Sequence, residues 1–206
     1  MKRNQYTLGK PISFKGNGLH SGIPVTITMR PAPAGSGIIF RRIDLTGAPE
    51  VPAKSEFVTN TLRATTLERG NAKVFTVEHI LSALFALRID NCILEMDAPE
   101  PPVADGGALT FSQMILEAGI VELEEQTDIL TLETSVAVYE DNKFITALPY
   151  DGLRITFTSI NPHPLLGTQM KDFTIDKETY IREIAPSRTI GFTWELEAMR
   201  QMGLGK

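Results

Sequence analysis

Thr76–Asp97, TVEHILSALFALRIDNCILEMD, holds a helix and a strand back to back, and its reading decides the fold class. Val77, Ile80, Leu81, Leu84 and Leu87 recur at helical spacing, which predicts a helix over 77–88 with Thr76 as its cap. Asn91–Asp97 then reads as a buried strand. Working outward, the residues before the helix are short strand patterns between Gly and Pro turns. YTLGKPISFKG, PVTITMR, GIIFRRI, NTLRATTLE and KVFTV are the candidates. After the strand, Ala98–Ala108 (APEPPVADGGA) has too many prolines and glycines for an element. ALTFSQMILEAGIVEL follows as a second amphipathic helix ending at Gly119. Strands, helix, strand and helix in this order give an α+β fold.

Strand patterns resume after EEQTD with ILTLETSVAVYED, KFITALPYD and LRITFTSI. PISFKGNGLHSGIPVTITMRP and SVAVYEDNKFITALPYDGLRITFTS share one layout of strand, turn, strand and a longer threonine-rich strand. The expectation is a duplicated two-layer sandwich of sheet and helices, residues 1–126 forming the first α+β domain and 127–206 the second. DKETYIREI and TWELEAMRQMG are short helices. The second unit has no counterpart of the 76–97 helix and strand, so its copy is incomplete and its sheet face is expected to lie uncovered.

The chain has 206 residues, 42% hydrophobic and 22% charged, enough to fold around a core. A net charge of −5 and 7% aromatics argue against a nucleic-acid surface. Arg30, Arg41, Arg42 and Arg63 are candidates for a local basic rim toward an anionic ligand. The single cysteine, Cys92, fits a reducing compartment, and no apolar run follows the basic start, so a cytoplasmic location is expected. No run is long enough to span a membrane.

The chemistry-bearing residues are few. The three histidines are His20, His79 and His163, and neither HExxH, HxxxD nor CxxC occurs, so no closed metal site can be written from this chain. Alone, His79 on a helix is a structural residue and Glu78 a first-turn acid favoured by the helix dipole. Side by side they suggest more: an imidazole holding a metal, with a neighbouring carboxylate that activates water without being a ligand. GNGLHSG reads as a hairpin loop carrying His20, and VADGGA as a tight turn capped by Asp105.

GNGLHSG, TVEHILSALFALRIDN, PPVADGGA, INPHPLLG and SRTIGFTWELEAMRQMGLGK occur in an order that resembles the zinc-dependent UDP-3-O-acyl-N-acetylglucosamine deacetylases of lipid A synthesis. The resemblance runs from about Tyr6 to Lys206. It implies that His79 is the first zinc ligand, Glu78 the general base, and Thr189 the hydroxyl facing the zinc-bound oxygen. It places Leu62 and Arg63 along the substrate pocket, Phe192 at the start of the acyl-chain tunnel, Asn161–Pro164 toward the nucleotide end, and His20 near the site without ligating. Two departures, Gly107 for Ser and Ile190 for Phe, are expected to be tolerated. The family's later HxxxD motif and final acidic histidine do not occur before Lys206, so the chain is expected to be cut short and inactive alone. The implied substrate is an acylated UDP-sugar, with a fused dehydratase domain downstream as a further expectation. The rival reading is a non-catalytic module that binds such a nucleotide.

Overall fold

In the computed structural model, which describes residues 2–205, a five-stranded sheet forms the floor of the first half. Strands β1 (Lys2–Leu8), β2 (Ile12–Asn17), β3 (Pro24–Pro31), β4 (Ile38–Arg42) and β5 (Glu50–Pro52) precede β6 (Val58–Asn60), β7 (Thr66–Arg69) and β8 (Ala72–Phe75). Helix α1 (Glu78–Ala86), strand β9 (Cys92–Met96) and helix α2 (Leu109–Ala118) follow. The large sheet runs β2-β3-β9-β4-β5, with β9 antiparallel to β3 and parallel to β4. Its central strands alternate buried and half-buried residues, as expected of a sheet with one face on the core. Ile27, Met29, Phe40, Leu94 and Met96 share that core with Ile80 and Leu84 of α1 and Phe111 and Ile115 of α2. The α+β class expected from the 76–97 stretch is the class observed.

The elements depart from expectation where tertiary pairing overrides local pattern. NTLRATTLE is not one strand: β6 and β7 flank an irregular turn at 61–65. The second helix does end at Gly119 as expected, where a φ of 77° closes the last turn after Ala118. The residues that follow, across the expected boundary between units, form β10 (Ile120–Asp128), paired antiparallel with β1. Cross-strand hydrogen bonds from Asn4 and Tyr6 to Glu122 hold that pair. The candidate basic rim is neutralised: Arg30 and Arg41 pair with Glu95, Arg41 also with Glu50, Arg42 with Asp44, and Arg63 with Glu195.

Beyond β10, β11 (Val136–Glu140) pairs with β12 (Lys143–Ala147), and β13 (Arg154–Ile160) with β14 (Thr168–Thr174). The last of these was not expected from the sequence. Tyr139, Phe144, Ile145, Phe157 and Ile160 stand exposed on these hairpins. The chain then returns to the first half. Helix α3 (Lys177–Thr179), capped by the Asp176 carboxylate, runs into a π turn (Tyr180–Ile184) that buries Tyr180 and Ala185 in the first core. A 3-10 turn (Thr193–Glu195) and α4 (Leu196–Gln201) end the described chain.

Candidate active site

Glu78 and His79 open α1, and the strand before them fixes where they point. Phe75 N–H donates to Pro99 O (3.0 Å), tying the end of β8 to the segment after β9. Thr76 then adopts a φ of 58°, a left-handed conformation that a β-branched residue rarely takes. Val77, fully buried, is the cap position, and no side chain caps the helix. The expected Thr76 cap is therefore absent: its hydroxyl donates to Glu100 Oε1 (2.8 Å). The left-handed residue breaks the run from strand to helix, leaving both Glu78 and His79 half-buried at one edge.

The two residues line one cavity of about 300 Å³ with Ser82, Ala108, Ile184 and Ser187. The far wall comes from the returning segment. Ala108 N–H donates to Ala185 O (3.1 Å), and Tyr180 Oη and Ser82 Oγ share a hydrogen bond of 2.8 Å. Burial pushes the Tyr180 hydroxyl above its ordinary range, only partly offset by that bond to Ser82. Gly107 permits the close approach, since a Cβ there would lie 2.6 Å from Ser187 O and 3.0 Å from Ala185 O. With this wall in place, a serine at 107 would force the 185–187 segment to shift.

Glu78 Oε2 accepts a hydrogen bond from Thr65 N–H (3.1 Å), which joins the 61–65 turn to the site. In that turn Leu62 is exposed, its N–H held by Asn60 Oδ1, and Arg63 has a φ of 64°. Arg63 reaches Glu195 at 2.8 Å, so this turn and the Phe192–Glu195 turn are neighbours. The guanidinium holds the Glu195 carboxyl below its ordinary range. Phe192 stacks on Trp194 (4.5 Å between centroids), and His163 on Trp194 (5.4 Å). Thr189 is exposed, and its N–H donates to Gly106 O (2.9 Å), two residues beyond Ser187 on the cavity wall.

His20 is buried but does not line this cavity. Its backbone N–H donates to Glu100, and its Nδ1 has no hydrogen-bond partner among the described residues. The sequence reading missed Ser82, Tyr180, Ser187 and Glu100. Ser82 alone had a visible signal, as the one hydroxyl inside HILSALFAL.

A sequence profile of the family described as LpxC, UDP-3-O-acyl N-acetylglycosamine deacetylase, matches residues 5–206. The chain belongs to that family. Among relatives of this deacetylase family, the Chlorobaculum tepidum protein named bifunctional enzyme LpxC/FabZ is 43% identical across 98% of this chain and 44% of its own length. The UDP-3-O-acyl-N-acetylglucosamine deacetylase of Myxococcus xanthus is 41% identical across 98% of this chain and 65% of its own. That of Legionella pneumophila strain Corby is also 41% identical, with 98% and 67% covered. The chain thus spans about half to two thirds of the curated relatives it matches.

The donor set can be tested for the metal that the resemblance implies. A catalytic zinc takes three protein ligands. His79 is the one imidazole on this cavity, and no group of three His, Cys, Asp or Glu side chains converges among the described residues. The described residues do not by themselves make up a zinc site.

Proposed function

We propose that this chain is part of a hydrolase that removes the N-acetyl group from UDP-3-O-acyl-N-acetylglucosamine, the committed step of lipid A biosynthesis. The observation that carries the reading is the placement of Glu78 and His79 together on one small cavity, in a chain of this family. In this reading water attacks the acetyl carbonyl and gives a proton to Glu78, the general base. The C–N bond then breaks as the nitrogen takes up a proton, which Glu78 can return to it, and acetate and the free sugar amine leave. The Thr189 hydroxyl faces the developing oxyanion. His79 is one ligand of a zinc whose other ligands lie in a part of the protein outside this chain, as the greater length of the relatives supports.

Leu62, Arg63 and Phe192 line the substrate's path in the same reading, and the Arg63–Glu195 pair that makes their turns neighbours supports it. His20 stands near the site as a non-ligand. The first unit extends over 1–126 and the second begins at 127. The substrate is an acylated UDP-sugar, handled in the cytoplasm. A dehydratase domain fused downstream extends the reading, motivated by the double name of the Chlorobaculum relative.

The test compares Glu78→Ala and His79→Ala in the protein extended to the relatives' full length. Glu78→Ala is expected to keep its zinc and lose acetate release by about 10²–10⁴-fold, the usual worth of a general base. His79→Ala is expected to lose both. Zinc loss in Glu78→Ala with residual turnover would overturn the assigned roles.

A further inference from the structure

We propose that Glu100 is the positioning residue of this site: through the Thr76 hydroxyl, its buried carboxylate fixes the backbone turn from which Glu78 and His79 project. The proposal rests on the reading of Glu78 and His79 as the working pair.

Glu100 is completely buried, and its hydrogen-bond partners among the described residues include no cation. Oε1 accepts from His20 N–H (3.0 Å) and from the Thr76 hydroxyl (2.8 Å), and Oε2 accepts from Ser21 N–H (2.8 Å). Burying a carboxylate is costly unless donors replace its water, and here three donors do so. The glycine-rich loop is shaped for that purpose rather than as a plain hairpin turn. A Cβ at Gly18 would fall on Glu100 Oε2 and on Ser21 Oγ, so only glycine lets the backbone close around the carboxylate. The loop also holds the segment just after the acid, where Val103 N–H donates to Asn17 O (2.8 Å).

The link to the site is Thr76. A positive φ in a β-branched residue persists only where its surroundings over-determine it. Phe75 N–H on Pro99 O holds one side of the residue, and Thr76 Oγ1 on Glu100 holds the side chain. Both anchors belong to the same two-residue stretch, 99–100. Two residues after Thr76 comes Glu78, whose direction Thr65 N–H reports. Beyond Glu100, the same irregular segment carries Gly106 O, which receives Thr189 N–H, and Ala108 N–H, which holds Ala185. One side chain therefore ties together the loop of His20, the entry to α1 and the segment that seats Thr189.

The test uses hydrogen exchange in this chain, read amide by amide at low protein concentration. Thr65 N–H reports Glu78, Leu81 N–H on Val77 O (3.0 Å) reports the first turn of α1, and Cys92 N–H on Gly37 O (3.0 Å) reports the remote sheet. Thr76→Val removes the hydroxyl and keeps the shape, and Glu100→Ala removes the acceptor. Each is expected to cut protection of Thr65 and Leu81 by about 10-fold or more while Cys92 changes less than about 3-fold, a local opening rather than a global one. Thr76→Ser restores the donor. Glu100→Gln accepts from the backbone N–H groups and donates to the Thr76 oxygen. Both are expected to stay within about 3-fold of the parent at all three amides. Unchanged Thr65 and Leu81 would overturn the proposal. So would equal loss at all three amides, including outright unfolding of Thr76→Val and Glu100→Ala, which marks a merely structural role. No arm uses metal or substrate, so a Glu78→Ala protein that still released acetate would sink the functional reading and leave this result intact.

Discussion

At Gly107 a single missing methyl group decides how closely two parts of the chain approach. The returning segment lays Ala185 O and Ser187 O against it, and the cavity beside Glu78 and His79 has its depth because of that contact. Gly107→Ser is therefore expected to destabilise the protein by about 1–3 kcal/mol, the usual range for overpacking, measured as a shift in denaturant midpoint at constant slope. An unshifted midpoint would show that the 185–187 segment yields freely. Thr189 makes the complementary case. Its backbone is held at Gly106 and its side chain is exposed, so Thr189→Val leaves the fold intact. In the extended protein it is expected to lower the catalytic rate constant with substrate affinity nearly unchanged, because an oxyanion contact forms mainly in the transition state. An unaltered rate constant would remove Thr189 from the chemistry.

Between elements, two contacts close the site. The Tyr180–Ser82 bond joins the π turn to α1, and Tyr180→Phe is expected to cost about 1 kcal/mol of stability, the net worth of one such bond, by chemical denaturation. The Arg63–Glu195 pair joins the 61–65 turn to the 193–195 turn at the surface, where it is sensitive to salt and pH. Glu195 has a lowered folded-state pKa because of Arg63, so its contribution is present above the ordinary carboxyl value of 4.5 and is lost as the pH falls through the lowered value. The protection factor at Leu62, its rate corrected for intrinsic exchange, is expected to fall as the pH drops through the lowered Glu195 value in the parent and to be low at every pH in Glu195→Gln; equal protection in the two proteins at neutral pH would remove the latch. What was legible in the sequence follows the same division. The α1 and β9 pair could be read because its apolar period is local, at Ile80, Leu84, Leu94 and Met96. So could the juxtaposition of Glu78 and His79. Strand β10 could not be read, because its partner β1 lies more than 100 residues away and supplies the pairing that IVELEEQTD does not announce. The roles of Thr76 and Glu100 were hidden for the same reason: a capping threonine and a threonine bonded to a distant buried acid look alike in one dimension.

Across the whole molecule, the two halves bury their side chains very differently. The first encloses a single core with both helices on one sheet, whereas the hairpins β11–β12 and β13–β14 hold Phe144, Ile145, Phe157 and Ile160 out in the open. Exposed apolar groups in this number are ordinarily covered by another element or a partner. In the proposed reading, the cavity that holds His79 needs two further zinc ligands, which the described residues do not bring to it. The Myxococcus xanthus and Legionella pneumophila relatives are half as long again. Residues 1–206 expressed alone are therefore expected to bind zinc weakly, to release no acetate, and to bind a hydrophobic dye through the uncovered hairpins. Extension to the relatives' length is expected to supply the missing ligands and the missing cover together, so zinc retention should rise and dye binding should fall in the same protein. Bound zinc after dialysis against a weak chelator, acetate release and dye fluorescence measure the three effects side by side. Stoichiometric zinc with turnover in the shorter protein would show that His79 finds its fellow ligands within these 206 residues, and the proposed division of the site between two stretches of chain would fall.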